Sequence, residues 1–116
     1  MRNLSTKEIA IAAAQAMDDK LAEEIKVLKV SDVMVDADYF VIGSCQTMIQ
    51  LNAIAHAVLD KLKELNVPLL RQEGRHDNQW VLLDYGSVVI HIFTAEEREY
   101  YSLEKLWADA EVVPFE

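Results

Sequence analysis

The chain has 116 residues, 52% of them hydrophobic, with 11 Lys and Arg against 20 Asp and Glu. This length and composition predict a single globular domain over residues 1–116 and leave no room for a second one. The only cysteine, Cys45, excludes an internal disulfide and a cysteine-based structural zinc site, so we expect a reducing compartment.

The first half of the chain predicts two helices and two strands. The segment Ser5-Thr-Lys-Glu8 fits a capping box, and the apolar period after it predicts a helix that ends near residue 20. Strands are expected at about 25–30 and at 39–42, the second closed by Gly43-Ser44. A second amphipathic helix is expected from about residue 47 to 65.

The second half predicts mostly strands. In chain order we expect a short strand that starts at Leu69, a polar loop at 73–79, strands at 80–85 and 88–93 joined by Gly86-Ser87, and short helices near 95–101 and 103–109. The connection from 39–42 through the second helix to Leu69 is long enough for a parallel crossover, whereas the strands at 80–85 and 88–93 must be antiparallel. The fold class is therefore α/β, with a mixed sheet of about five strands flanked by helices.

The predicted hairpin has two different faces, because side chains alternate along a strand. With Gly86-Ser87 as the loop, Val81, Leu83, Tyr85, Val88, Ile90 and Ile92 lie on one face and suit a core. The other face carries Trp80, Leu82, Asp84, Val89, His91 and Phe93. A tryptophan beside a carboxylate and aliphatic groups is typical of a protein-binding hot spot, although terminal helices that cover this face would explain it equally well.

Charge and hydropathy limit the classes of partner. Residues 80–116 carry eight acidic side chains against two basic ones. Such a surface repels a phosphate backbone, so we expect no direct nucleic-acid readout, and it would attract a basic protein partner. Acidity that serves only solubility would also explain this charge. The longest apolar run, Val88–Phe93, is too short for a membrane span, and the first residues lack a secretory signal pattern, so a cytoplasmic location is expected.

An enzymatic alternative stays open at this point. Ile42-Gly43-Ser44 resembles the Gly-Ser turn of a nucleotidyltransferase, but no carboxylates follow it at the spacing that two metal ions require. A metal-dependent nucleotidyl or phosphoryl transfer would have to use Asp36, Asp38 and Asp84. No P-loop, dinucleotide fingerprint or zinc-protease motif is present, and no cofactor is expected.

Several segments occur together in an order that points to a family. They are Asp38-Tyr-Phe-Val-Ile42, Ala53-Ile-Ala55, Glu73-Gly74, Trp80-Val-Leu-Leu-Asp-Tyr-Gly86, Val89-Ile-His-Ile-Phe93, Arg98-Glu-Tyr-Tyr-Ser-Leu-Glu-Lys-Leu-Trp107 and Asp109-Ala110. With these segments the chain closely resembles the ribosomal silencing factor S, or Iojap-like, family over nearly its whole length. The resemblance implies a nucleotidyltransferase-like fold without the catalytic metal site, and a protein that is not an enzyme.

The resemblance also implies a function and a set of contacts. Members bind the large ribosomal subunit through its ribosomal protein fourteen, block joining of the small subunit and so lower translation when nutrients are scarce; free members form homodimers. The implied partner-binding residues are Trp80 as apolar anchor, Asp84 toward a basic side chain, Tyr85, His91, and Glu73 and Glu104 as rim acids. Two positions differ from what the resemblance implies. Ser87 stands where an Asp is usual, and Cys45-Gln46-Thr47 stands where a Gly/Ser-rich turn is more common. These differences put individual contacts in doubt.

Overall fold

The computed structural model describes residues 4–32, 35, 37–74, 80–96 and 110–115. These residues form α1 (Thr6–Asp19), β1 (Glu23–Lys29), β2 (Tyr39–Cys45), α2 (Met48–Glu64), β3 (Arg71–Glu73), β4 (Trp80–Asp84), β5 (Val88–Thr94) and β6 (Glu111–Val113). The predicted mixed α/β class is confirmed. The sheet has one strand more than expected, because β6 is too short to show a pattern in the sequence.

The six strands lie in the order β3-β4-β5-β2-β1-β6. Among the described strands, only β2 and β5 pair in parallel, and the other neighbours are antiparallel. The strand after α2, β3, runs parallel to β2 but does not pair with it, because β4 and β5 lie between them. The predicted parallel crossover is thus present across the sheet. The chain passes from β2 through α2 to β3 at the edge of the sheet, and the hairpin then returns to place β5 beside β2.

Both helices begin where side chains satisfy the first free amide groups. The Ser5 hydroxyl accepts from the Glu8 amide at 3.1 Å, and the Glu8 carboxylate accepts from the Ser5 amide at 3.1 Å. Thr47 caps α2 in the same way by accepting from the Gln50 amide at 3.1 Å. The predicted helix starts are confirmed, because each depends only on local sequence.

The sheet is buried on both faces in the described part of the chain. On one face α1 and α2 pack against Val27, Val41, Leu83 and Ile90. The opposite face carries a second cluster, formed by Leu28, Val30, Ala37, Phe40, Ile42 and Phe93 with Trp80, Val89 and Ala110 at its border. The central strands therefore read as nearly continuous apolar runs.

One local prediction, the Gly43-Ser44 turn, is wrong, and the predicted terminal helices fall almost wholly on residues that the structure does not describe. Gly43 and Ser44 do not form a turn, because β2 continues through both to Cys45 and the Ser44 hydroxyl donates to the Glu23 carbonyl at 3.2 Å. The predicted terminal helices fall almost wholly on residues 97–109, outside the described residues. No helix in the described ranges is long and apolar enough to cross a bilayer.

The close approach of α1 to β2 generates a stability prediction. A Cβ at Gly43 would overlap the terminal carbon of Met17, which is fully buried. We expect Gly43→Ala to lower the free energy of unfolding by about 1–3 kcal/mol, because a packed core resists an added methyl group. Urea denaturation is the measurement. In the double variant with Met17→Ala the cost should be smaller than the sum of the two single costs, and strict additivity would contradict the assigned clash.

Candidate protein-binding face

The candidate site lies on one face of the sheet, at the edge formed by β3 and β4. Arg71 pairs with Asp84 across the two strands, and Glu73 pairs with Leu82. Cross-strand partners project to the same side, so Arg71, Glu73, Trp80 and Asp84 share a face, which we call the edge face. It is the face that the sequence predicted as the hot-spot side of the hairpin, extended by one strand.

Trp80 is the aromatic centre of the edge face and is half-buried. Its ring lies nearly parallel to that of Phe93, its cross-strand partner, with ring centres 5.6 Å apart and planes 4° apart. The His91 ring is also nearly parallel, at 5.9 Å and 9°. The indole Nε1–H donates to His91 Nδ1 at 3.3 Å. The rings of Phe93 and His91 thus pack against the indole, and His91 also accepts its hydrogen bond.

His91 lies beneath this surface and is only 6% exposed. Its ring meets Phe40 edge-on with ring centres 5.1 Å apart, at 72°. Burial lowers the pKa of His91 to about 4, because the apolar surroundings disfavour the imidazolium ion. A neutral ring is also what the indole hydrogen bond requires, since Nδ1 acts as the acceptor.

Asp84 holds the hairpin turn as well as facing outward. One carboxylate oxygen accepts from the Gly86 amide at 2.8 Å, and the other lies 3.8 Å from the Arg71 guanidinium. Gly86 has a φ of +89°, the backbone sign that the predicted two-residue loop needs at its first position. Arg71 also approaches the Glu73 carboxylate at 3.5 Å, so one cation bridges both acids.

Tyr85 lies on the other side of the sheet. It lines a groove of about 430 Å³ together with Leu59, Val67, Pro68 and Leu69. Burial raises the pKa of Tyr85 to about 12, so its hydroxyl is protonated at neutral pH. Tyr85 and Trp80 therefore cannot contact one flat partner surface together, although both belong to β4 or its end.

The predicted partner-binding residues thus separate into groups. Trp80, Asp84 and Glu73 share the edge face, and the exposed side chain of Glu73 reaches 53% accessibility against 24% for Asp84. His91 is buried below them, Tyr85 faces away, and Glu104 lies outside the described residues. Leu82 and Phe93 are also buried, so the predicted hot-spot face is accessible only along its margin.

Ser87 and Cys45 lie at the two places where the resemblance implies other residues. The Ser87 carbonyl accepts from the amides of Asp38 and Tyr39 at 2.8 and 3.0 Å, which joins the hairpin loop to the start of β2. Cys45 is fully buried, and burial raises the pKa of its thiol. These contacts depend on backbone and burial rather than on a charged side chain at either place.

The enzymatic alternative gains no support from the described residues. Among them, no three His, Cys, Asp or Glu side chains come together as a set of metal ligands. Asp84 binds the turn amide, Asp36 lies outside the description, and the Gly-Ser turn is absent.

Sequence reasoning missed Arg71 and Phe40. Arg71 belongs to a three-residue strand that no periodicity reveals, and only its pairing with β4 places it against Asp84. Phe40 belongs to a predicted strand, but its contact with His91 depends on the parallel pairing of β2 with β5. The hairpin register itself was predictable and is confirmed from Trp80–Phe93 to Asp84–Val89.

Comparison with known proteins gives the family. The family model described as "Ribosomal silencing factor during starvation" matches residues 3–116. A ribosomal silencing factor of Halalkalibacterium halodurans is 40% identical over 113 residues, covering 97% of each chain. That of Bacillus subtilis is 42% identical over 107 residues, covering 92% of this chain and 91% of the relative.

The structural comparison agrees with the sequence comparison. A crystal structure of a Chromobacterium violaceum protein superposes with a TM-score of 0.86 at 32% identity, covering 90% of this chain and 88% of the other. The mixed α/β fold is thus shared with a solved protein. The chain belongs to the ribosomal silencing factor family, which includes Iojap-named relatives such as the chloroplastic one of Arabidopsis thaliana, 33% identical over 92% of this chain and 45% of the relative. This family is not a known class of enzyme.

The turn contact of Asp84 can be separated from its charge. We expect Asp84→Ala to lower the free energy of unfolding by about 1–2 kcal/mol, because the Gly86 amide loses a charge-assisted acceptor. Asp84→Asn keeps an oxygen acceptor and should cost less than half as much. Urea denaturation of the two variants side by side is the measurement, and equal losses would contradict the assigned contact.

The buried imidazole predicts an acid-sensitive stability. The folded-state pKa of about 4 lies below the ordinary value of 6.5, so the unfolded chain binds a proton more readily. The contribution of the neutral His91 ring to the free energy of unfolding is fully present above pH 6.5 and is lost as pH falls toward 4. Between pH 7.5 and pH 5 we expect the free energy of unfolding to fall by about 2 kcal/mol more in the wild type than in His91→Leu.

Urea unfolding at the two pH values measures this difference. His56→Gln is the matched control, because His56 is exposed on α2 and should leave the wild-type pH dependence intact. If the free energy of unfolding of His91→Leu falls as much as that of the wild type between the two pH values, the assignment of His91 as a buried neutral side chain is contradicted.

Proposed function

We propose that this protein represses translation by binding the large ribosomal subunit through its ribosomal protein fourteen and blocking association with the small subunit, acting in the cytoplasm. Membership of the ribosomal silencing factor family supports the general role. A mouse relative is named "Mitochondrial assembly of ribosomal large subunit protein 1"; it is 40% identical over 74% of this chain and 39% of that protein. That name favours the large subunit as the particle to which this protein binds.

The carrying observation is the composition of the edge face. It places a half-buried tryptophan, packed against the rings of Phe93 and His91, on the same face as the carboxylates of Glu73 and Asp84. A rigid indole with an acidic rim suits a partner that offers an apolar pocket bordered by Arg or Lys. Such complementarity is expected for a basic ribosomal protein, whereas RNA phosphates would be repelled.

Arg71 tunes this complementarity. It approaches both acids, at 3.5 and 3.8 Å, and its own side chain is 59% exposed. Exposed ion pairs contribute little to stability, so an incoming basic side chain can replace Arg71 at little cost. The edge face therefore presents its full negative charge only when Arg71 turns away toward solvent.

We also propose a homodimer for the free protein. Leu69 and Leu70 are exposed beside the hairpin turn, at 39% and 65%, and the adjacent groove is apolar. Exposed apolar area of this kind favours self-association when the ribosome is absent. Size-exclusion chromatography with light scattering measures the mass directly, and a monomer at tens of micromolar would contradict this part of the proposal.

Gradient co-sedimentation with isolated large subunits, small subunits and joined ribosomes tests the function. We expect selective binding to free large subunits. We also expect the protein to slow the rise in light scattering that follows mixing of the two subunits. Trp80→Ala should weaken binding at least about 30-fold, since the loss of a central aromatic anchor costs about 2 kcal/mol or more. Glu73→Lys should weaken it as well, through repulsion of the basic partner.

Glu64→Lys is the matched control for Glu73→Lys. It makes the same charge change at an exposed position on α2, away from the edge face, and should bind as the wild type does. Equal loss in both lysine variants would indicate a net-charge effect and not a site. Failure of the wild type to sediment with large subunits at moderate salt would overturn the proposed function.

A further inference from the structure

His91 is buried, but it lies directly beside the accessible indole of Trp80. A histidine that is 6% exposed cannot contact a partner, yet it lies within the aromatic group that supports the most accessible ring of the edge face. It pairs across the strands with Leu82, and Trp80 pairs with Phe93. The two side chains therefore meet on a diagonal, where only long side chains reach each other.

The contact between them is directional. The indole Nε1–H donates to His91 Nδ1 at 3.3 Å while the two ring planes lie within 9° of each other. Apolar contact with Phe93 does not by itself select which edge of the indole faces inward, because such contact has no fixed direction. A hydrogen bond from the one polar atom of the indole selects that edge.

We propose that His91 is a positioning residue for partner binding, which fixes the orientation of the Trp80 indole without touching the partner itself. This inference rests on the proposed function. His91 is in turn oriented by Phe40, which meets it edge-on at 5.1 Å, and by Phe93, whose ring lies parallel to it at 6.1 Å. The contacts that orient the indole thus run from the central parallel strands β2 and β5 to β4, the strand next to the edge strand β3.

The physical effect is preorganisation. A side chain already held in its bound orientation loses less freedom on association, and so the complex dissociates more slowly. A partner pocket that receives the indole on one edge would meet the wrong edge if the ring turned over. The hydrogen bond therefore contributes to affinity even though both of its atoms belong to this protein.

Two substitutions separate this role from simple core packing. His91→Leu keeps an apolar side chain in the core and removes the acceptor, whereas His91→Asn is smaller but places an oxygen near the position of Nδ1. We expect His91→Leu to weaken binding to large subunits about fivefold, within the range that one hydrogen bond supports. His91→Asn should recover most of that loss although it packs less well.

A double-mutant cycle gives a second, independent readout. Trp80→Phe lacks the indole N–H, so His91→Leu should cause no further loss of binding in that background. A spectroscopic readout needs no ribosome at all. The indole N–H of Trp80, assigned with a Trp107→Phe variant, should exchange slowly with solvent in the wild type and in His91→Asn, and fast in His91→Leu.

Each outcome decides one claim. Equal weakening by His91→Leu and His91→Asn, or a full His91→Leu effect in the Trp80→Phe background, would show that His91 acts through packing alone and overturn the inference. An unchanged indole N–H signal in His91→Leu would do the same. If the wild-type protein does not bind large subunits, the proposed function fails, and the exchange measurement still decides whether His91 holds the indole.

Discussion

The parallel pairing of β2 with β5 is the constraint on which the rest of the molecule depends. It aligns Tyr39 with Val88 and continues without a shift to Cys45 and Thr94. Both strands are buried on both faces, so one-residue slippage would move apolar side chains between two filled clusters. Because this register is fixed, the hairpin has one position, and the His91 ring of β5 meets Phe40 of β2.

Among the described residues, the two faces of the sheet are covered differently. One face packs against α1 and α2, and the other carries the apolar cluster that borders on Trp80 and Val89. The edge face is therefore continuous with a core, not a separate surface patch. An anchor that is rooted in a core is stiff, which is the property that a binding hot spot requires.

The charges at this edge act together. Asp84 lies close to Gly86 and Arg71, and Arg71 also approaches Glu73. A carboxylate that holds a turn is itself held in place, so its negative charge is presented at a defined position. The proposed recognition of a basic partner therefore involves a side chain that also stabilises the hairpin, and a substitution at Asp84 is expected to affect both unless the turn contact is kept.

The sequence by itself determined the features that depend on near neighbours in the chain. The Ser5 and Thr47 caps, the Gly86-Ser87 hairpin and its register follow from local hydrogen bonding and strand alternation, and the ordered segments from Asp38 to Ala110 pointed to the family. Tertiary structure alone decided which strand lies beside β2, that Gly43 and Ser44 belong to a strand, that His91 is buried and that Arg71 bridges two acids. These features join residues far apart in the chain, and their energies come from packing and desolvation that no local pattern records.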